Sequence, residues 1–306
     1  MDKIKNVILC GMGAIGAIYA NKLQNADCDF RVLVDENRYK KYQTNPIKYN
    51  DKPLNVKYIL PNNSDFKADL IIIATKMNGL EQALDEIENF VSDNTIILSL
   101  LNGVTSEQII AEKYGCEKVL YSYVIGHSSV RNGNNITHDG INTIVFGSDN
   151  PNDKNNITKV RQFFDKTDIN YEVSEDIKHS LWLKFMLNVS SNQTTALFRL
   201  NFGEMLSNKA VMELIVKIMK EVQTIAKAEG INNTDTMIEE ALDVLKKMSP
   251  KGRTSMLQDV EAGRKTEVDM FAGTVVEFGR KHNINTPYCE FLKDAFAVIH
   301  EQFDKK

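Results

Sequence analysis

The residues best suited to chemistry lie in the segment WLKFMLNVSSNQTT. Lys184, Asn188 and Asn192 recur there at i, i+4 and i+8, which sets them on one face of a helix. Their neighbours Leu183, Phe185, Met186, Leu187 and Val189 are apolar, so this polar stripe is expected to be partly enclosed. An ammonium aligned with two amides can hold a polar substrate and stabilise a developing oxyanion. A second group follows in SMLQDVEAGRKTEVDMFAGTVVEFG. Ser255 and Gln258 stand at a helix start, ahead of Asp259, Arg264, Glu267 and Asp269. Thr266 and Glu267 precede the apolar run VDMFAGTVV, so Glu267 is expected to face inward, either as a site carboxylate or as an ion-pair partner of Arg264 or Lys184.

A cofactor site is written into the other end of the chain. In GMGAIG, residues Gly11, Met12, Gly13, Ala14, Ile15 and Gly16 follow the apolar run NVILC and open a helix. The first glycine of such a turn permits the tight bend, the second lets backbone approach a pyrophosphate, and the third allows close helix–strand packing. The pyrophosphate then sits over the helix N-terminus, where unpaired N–H groups and the dipole favour an anion. Asp35 stands 19 residues beyond Gly16, just past the next strand. An acid there accepts hydrogen bonds from the adenosine ribose and repels a 2′-phosphate, which favours NAD. Glu36 adds to that repulsion, whereas Arg38 could turn inward and attract the phosphate. Lys76 after LIIIAT and Asn102–Gly103 after TIILSL occupy equivalent strand ends, where side chains reach a cofactor or an anionic substrate.

These residues need two different scaffolds. Up to about residue 170, short β-branched runs alternate with helix candidates: NVILC (6–10), DFRVLV (29–34), LIIIAT (70–75), TIILSL (95–100), KVLYSYVI (118–125) and TIVFG (143–147). Runs apolar throughout fit parallel strands covered on both faces, and the spacing is that of βαβ units. RNGNNITHDG interrupts the pattern with loops or added antiparallel strands. Beyond that point no proline occurs between Pro151 and Pro250, and helical spacing takes over. HSLWLKFMLNVSSNQTTAL predicts one helix. NKAVMELIVKIMKEVQTIAKAEG predicts another that stops at Gly230, and DTMIEEALDVLKKM a third. A further helix is expected from Asp269 to Arg280, and a last one starts at Thr286–Pro287, an N-cap followed by proline. The expected architecture is a Rossmann-type α/β domain over 1–170 and an all-helical domain over 171–306.

Composition narrows the classes of function. The chain has 306 residues, 42% of them hydrophobic and 25% charged, with a formal net charge of −4 and no basic patch, which argues against a nucleic-acid binder. No apolar run approaches the roughly 20 residues of a membrane span. The N-terminus passes from charges into the first strand without a cleavable signal, and Cys10, Cys28, Cys116 and Cys289 are widely spaced. Free thiols and a cytoplasmic location are therefore expected. His127, His138, His179, His282 and His300 form no metal-ligand motif, so no metal is expected, and His127 reads as a loop residue beside Gly126. The helical half has enough apolar spacing for a homodimer, in which core and interface stripes look alike.

Taken together, GMGAIG at 11–16, Lys76, LLNG at 100–103, the K-x3-N-x3-N series at 184–192 and SMLQD…R-x-TE-x-D at 255–269 resemble the ketopantoate reductase family over nearly the whole chain. The resemblance implies NADPH-dependent reduction of 2-dehydropantoate to (R)-pantoate. It implies that Lys184 is the catalytic acid and Glu267 an active-site carboxylate touching substrate or cofactor. Asn188, Asn192 and Ser255 would hold the substrate, while Lys76 and Asn102 would contact the nicotinamide end, with Gly126 a backbone contact nearby. The Rossmann half would supply the hydride and the helical half the proton, with the reaction in the cleft between them. Three positions depart from the family pattern. LLNG replaces LQNG, Phe202 stands where a substrate-contacting Asn is usual with Asn201 one place earlier, and Asp35–Glu36 occupy a place more often neutral or basic. A related reductase of another branched 2-oxo acid, using NADH, fits those departures. A non-catalytic dinucleotide sensor is the reading of a different class.

Overall fold

The computed structural model describes residues 3–126 and 129–303. They divide into two compact units, 1–177 and 178–306.

The first unit is an α/β layer structure. Its large sheet has the order β12-β11-β8-β7-β6-β1-β2-β5. The strands are β1 (Asn6–Cys10), β2 (Asp29–Leu33), β5 (Lys57–Ile59), β6 (Leu70–Ile73), β7 (Ile96–Ser99), β8 (Val119–Gly126), β11 (Asn142–Gly147) and β12 (Asn170–Val173). All pairings are parallel except β8 with β11. The strands β5-β2-β1-β6-β7-β8 reproduce the doubly wound order, whose direction reverses between β1 and β6. Alternate residues face opposite layers, as period two requires. Val7, Leu9, Leu70, Ile72 and Leu98 join one apolar cluster with Ala17, Tyr19 and Leu23 of α1 (Ala14–Leu23) and Phe164 of α5 (Lys154–Phe164). Ile8, Cys10, Ile71, Ile73 and Ile97 join the other, with Leu80, Leu84 and Ile87 of α3 (Leu80–Ile87) and Ile110 of α4 (Ser106–Tyr114). Burial on both faces explains why these strands read as continuous apolar runs.

A small second sheet, β4-β3-β10-β9, comprises β3 (Lys48–Tyr49), β4 (Lys52–Pro53), β9 (Val130–Asn132) and β10 (Asn135–Thr137). The segment RNGNNIT supplies its β9–β10 hairpin, turning at Gly133 with φ +62°. Fully buried Ile47 and Ile136 carry this sheet into the cluster that contains α1. Asp35 begins α2 (Glu36–Thr44).

The second unit is helical. The predicted single helix at its start is instead three pieces: α6 (Ile177–Leu187), a π-helical segment Asn188–Asn192, and α7 (Gln193–Phe198). The widened turn is stabilised by side chains that donate to carbonyls four residues back. Ser190 Oγ reaches Met186 O, Ser191 Oγ reaches Leu187 O and Gln193 Nε2 reaches Val189 O, each at 2.7 Å. A second π segment, Asp269–Gly273, opens the helix expected from Asp269 and leads into α12 (Thr274–His282). Between them lie α8 (Phe202–Ser207), α9 (Lys209–Ala228), α10 (Met237–Lys246) and α11 (Ser255–Glu261), and α13 (Pro287–Phe303) closes the unit. Ile215, Ile218, Val222 and Ile225 of α9 are fully buried, and Gly230 follows its end with φ +77°.

The N-terminus of α13 is capped from a distance. Glu221 of α9 is buried, and its carboxylate accepts the N–H groups of Tyr288 at 2.8 Å and Cys289 at 3.0 Å. The same carboxylate, with burial as the larger cause, pushes the Cys289 thiol well above the ordinary thiol range. Glu221→Ala is expected to cost about 2 kcal/mol, because two enclosed N–H groups lose a charged acceptor. Urea unfolding followed by circular dichroism measures this, and an unchanged midpoint would show that the carboxylate is dispensable.

Candidate active site

Within the first unit, the candidate residues all lie past carboxyl ends of strands, where open α/β sheets bind ligands. The glycine turn joins β1 to α1, and its three glycines meet different surroundings. Gly11 has φ +104°, and a Cβ there would lie 2.7 Å from the Ala74 carbonyl carbon and oxygen. A Cβ on Gly16 would collide with the Gly11 carbonyl oxygen. Gly13 is open, with no heavy atom within 4 Å of where its Cβ would stand. The turn therefore packs tightly beneath and is clear above. No side chain caps α1 at Gly13, and Ala14 and Ile15 begin its first turn, so backbone dipoles dominate that helix end. Met12 is buried, and its carbonyl accepts Nη1 of Arg131 at 3.1 Å.

Asp35 sits past β2 as the N-cap of α2. Its carboxylate accepts the Arg38 N–H at 2.7 Å and pairs with the Arg38 guanidinium at 3.2 Å. Arg38 is thus held by Asp35. Lys76 is exposed two residues beyond the buried Ala74, at the start of a one-turn 3-10 helix, Met77–Gly79. Beside it, the Thr75 hydroxyl is buried without a hydrogen-bond partner. Asn102 is half-buried and precedes Gly103, whose φ is +92°. Gly126 ends β8 with φ +135°, where a Cβ would strike the Ile141 carbonyl and the Asn142 side chain. His127 lies outside the described residues.

A buried polar network braces the Asn102 loop. Ser99 Oγ meets Ser106 Oγ at 2.8 Å, Ser106 Oγ donates to Glu107 at 2.9 Å, and Ser122 Oγ donates to Ser99 O at 2.7 Å. Isolated Ser and Glu residues give no signal of such a network in sequence. Arg131 gave none either, since its strand is three residues long.

Within the second unit, the π segment determines the amide geometry. Lys184 is half-buried in the last turn of α6, Asn188 opens the π segment and Asn192 closes it. Asn192 Nδ2 donates to Asn188 Oδ1 at 2.9 Å, so the two amides share a face as their spacing predicts. Asn188 Nδ2 is buried with no hydrogen-bond partner. Such a donor is costly to enclose unless something else accepts from it. Ser255 is exposed at the first position of α11, which packs against α7 and the first π segment. Thr254 caps α11 through the Leu257 N–H at 3.2 Å, and its hydroxyl meets Thr195 Oγ1 of α7 at 2.9 Å. That buried pair ties Ser255 to the helix carrying the amides, a link that sequence spacing does not reveal. Glu267 is half-buried just ahead of the second π segment, its carbonyl accepts Phe271 N–H at 3.1 Å, and the two π segments pack against each other. Arg264 pairs with Asp259 at 2.8 Å.

Models of the ketopantoate reductase PanE/ApbA family match residues 7–151, and those of its C-terminal domain match 176–300. The chain belongs to the ketopantoate reductase family. It is 26% identical to 2-dehydropantoate 2-reductase of Streptococcus pyogenes, over 94% of this chain and 95% of that one. It is 27% identical to the enzyme of the same name from Aquifex aeolicus, with the same coverage. Among solved structures, D-mandelate dehydrogenase with NADH and anilino(oxo)acetate superposes with a TM-score of 0.86 at 20% identity, over 97% of this chain and 99% of that one, a likeness of fold. As a member of the ketopantoate reductase family, the protein is an NAD(P)H-dependent oxidoreductase acting on a 2-oxo acid.

The glycine surroundings separate two kinds of constraint. Gly13→Ala is expected to leave stability within about 0.5 kcal/mol of the parent, as at an open site. Gly16→Ala forces backbone apart and should cost on the order of 3 kcal/mol. Paired thermal or urea melts decide, and equal losses in the two variants would contradict this division.

Proposed function

We propose that the protein reduces 2-dehydropantoate to (R)-pantoate, with Lys184 as proton donor. The observation that carries the reading is the unpartnered, buried Asn188 Nδ2, beside Asn192 and one turn from Lys184. An enclosed amide donor suits a carboxylate or hydroxyl oxygen of the substrate, and the adjacent ammonium suits the reacting carbonyl oxygen. Bound NAD(P)H supplies the hydride that reaches the ketone carbon. Lys184 stabilises the negative charge that builds on oxygen and donates a proton to it, leaving the alcohol. Asn188, Asn192 and Ser255 hold the substrate's carboxylate and hydroxyls, and Glu267 orients the reacting groups by hydrogen bonding.

The residues of the glycine turn fit a dinucleotide. Open space at Gly13 and a helix end without a side-chain cap leave backbone N–H groups for the diphosphate. Residues Gly11 to Gly16 would cradle it. Lys76, Asn102 and the backbone at Gly126 would meet the nicotinamide half.

A second reading, another branched 2-oxo acid reduced with NADH, is favoured by two observations. Asn201 is committed to a capping box, accepting Glu204 N–H at 2.9 Å while its own N–H donates to Glu204 at 2.8 Å. Phe202 beside it carries no amide, and its ring lies against Gly252. One polar substrate contact of the family pattern is thereby replaced by an apolar surface. Asp35, with Glu36 beside it, favours a ribose diol over a 2′-phosphate. The D-mandelate dehydrogenase of like fold was solved with NADH.

Lys184→Ala should lower kcat by about 100-fold or more, the scale of a lost positioned proton donor. Unchanged turnover would remove Lys184 from the chemistry. A steady-state comparison of NADPH with NADH, on 2-dehydropantoate and a panel of branched and aromatic 2-oxo acids, distinguishes the two substrate readings. Asp35→Ala should raise KM for NADH more than for NADPH if its carboxylate holds the ribose. Because the substitution also removes a helix cap worth about 1 kcal/mol, the ratio between the two cofactors is the readout. An unchanged ratio assigns Asp35 to capping alone.

A further inference from the structure

Arg131 is a cation hydrogen-bonded directly to the glycine turn. It stands on β9 of the small sheet, 119 residues from the turn in sequence. Its Nη1 donates to Met12 O at 3.1 Å and its Nε to Gly133 O at 3.0 Å. Two of five guanidinium N–H groups are used in this way, and the other three are available beside the turn.

The hairpin that carries Arg131 is firmly placed. Ile136 is fully buried against the α1 layer, Lys48 N–H donates to Asn134 O at 2.8 Å, and Asn134 Nδ2 donates to Pro46 O at 2.8 Å. Arg131 as a residue is exposed. The residues around it pose an electrostatic problem. GMGAIGA contains no charged side chain, and Asp35 and Glu36 past the neighbouring strand are both acidic. A diphosphate brings two negative charges to this place, where backbone dipoles alone offer only partial charge. A planar fork with spare donors is the side chain that best matches phosphate oxygens.

We propose that Arg131 is a diphosphate ligand, reaching over the glycine turn from the small sheet and closing the cofactor's phosphates between guanidinium and helix N-terminus. This rests on the dinucleotide reading above and adds a residue that the glycine motif does not contain. Its contact with Met12 O sets the guanidinium in place beforehand, so little side-chain entropy is lost on binding.

The test is direct binding, independent of turnover. NADH, NADPH and ADP-ribose are titrated against the parent protein, Arg131→Gln and Arg131→Lys, by NADH fluorescence and by calorimetry for ADP-ribose. Loss of a charged hydrogen-bonding partner should raise Kd about tenfold or more for all three ligands in Arg131→Gln. Arg131→Lys should recover part of the loss, and the melting temperature should not move. Unchanged Kd values would overturn the proposal. So would a loss confined to NADPH, which would place the guanidinium at the 2′-phosphate, or one that follows a fall in melting temperature in both variants, which would make Arg131 a hairpin pin. Failure of the parent protein to bind any of the three would overturn the dinucleotide reading itself, and this proposal with it.

Discussion

At the carboxyl edge of the large sheet, β1 and β6 diverge around a turn so closely packed that neither Gly11 nor Gly16 has room for a side chain. This close approach organises the first unit. It brings α1 down onto the sheet and lets Ala17, Tyr19 and Leu23 close one layer of the core. It also points the first turn of α1 at the switch between β1 and β6, where the strand order reverses. A side chain at Gly13, by contrast, would meet no heavy atom within 4 Å. Tight packing below and open space above have the same origin, a backbone bent sharply enough to present its N–H groups outward.

The second unit solves a different problem, that of aligning polar groups on a largely apolar helix. A regular α-helix through residues 177–198 would carry its amides on a face that rotates away with each turn. The π segment slows that rotation, and Asn188 and Asn192 meet directly. Ser190, Ser191 and Gln193 supply the carbonyl partners that the widened turn needs. A second π segment packs against the first and places Glu267 at its entry. The Thr195–Thr254 pair and the Glu221 cap show the same logic, with buried polar contacts joining elements far apart in sequence.

Asp35 illustrates how one side chain can answer two demands. Its position past β2 suits ribose recognition, yet its carboxylate already caps α2 and holds Arg38. A carboxylate has enough lone pairs for both. The same pairing engages Arg38, the cation nearest to it in sequence that could have met a 2′-phosphate.

The sequence alone determined much of this protein. Strands β1, β2, β6, β7 and β8 of the doubly wound order were legible from apolar runs bounded by turns, and α9, α10 and α13 from helical spacing with Gly230 and Pro287 as punctuation. The glycine turn and the shared face of Asn188 and Asn192 were legible because each is a local pattern. The short strands β3, β4, β5 and β12 were not, since two to four residues carry no measurable period. Nor were the π segments, because a single inserted turn leaves apolar spacing almost unchanged. Only the tertiary structure placed Arg131 on the glycine turn, Glu221 at the end of α13 and Thr195 against Thr254. Those contacts join residues 59 to 119 positions apart, and nothing in either partner's neighbourhood encodes the other. Local pattern specifies an element and its face. Which polar groups meet across elements is decided when the apolar faces pack and the remaining donors and acceptors must find one another.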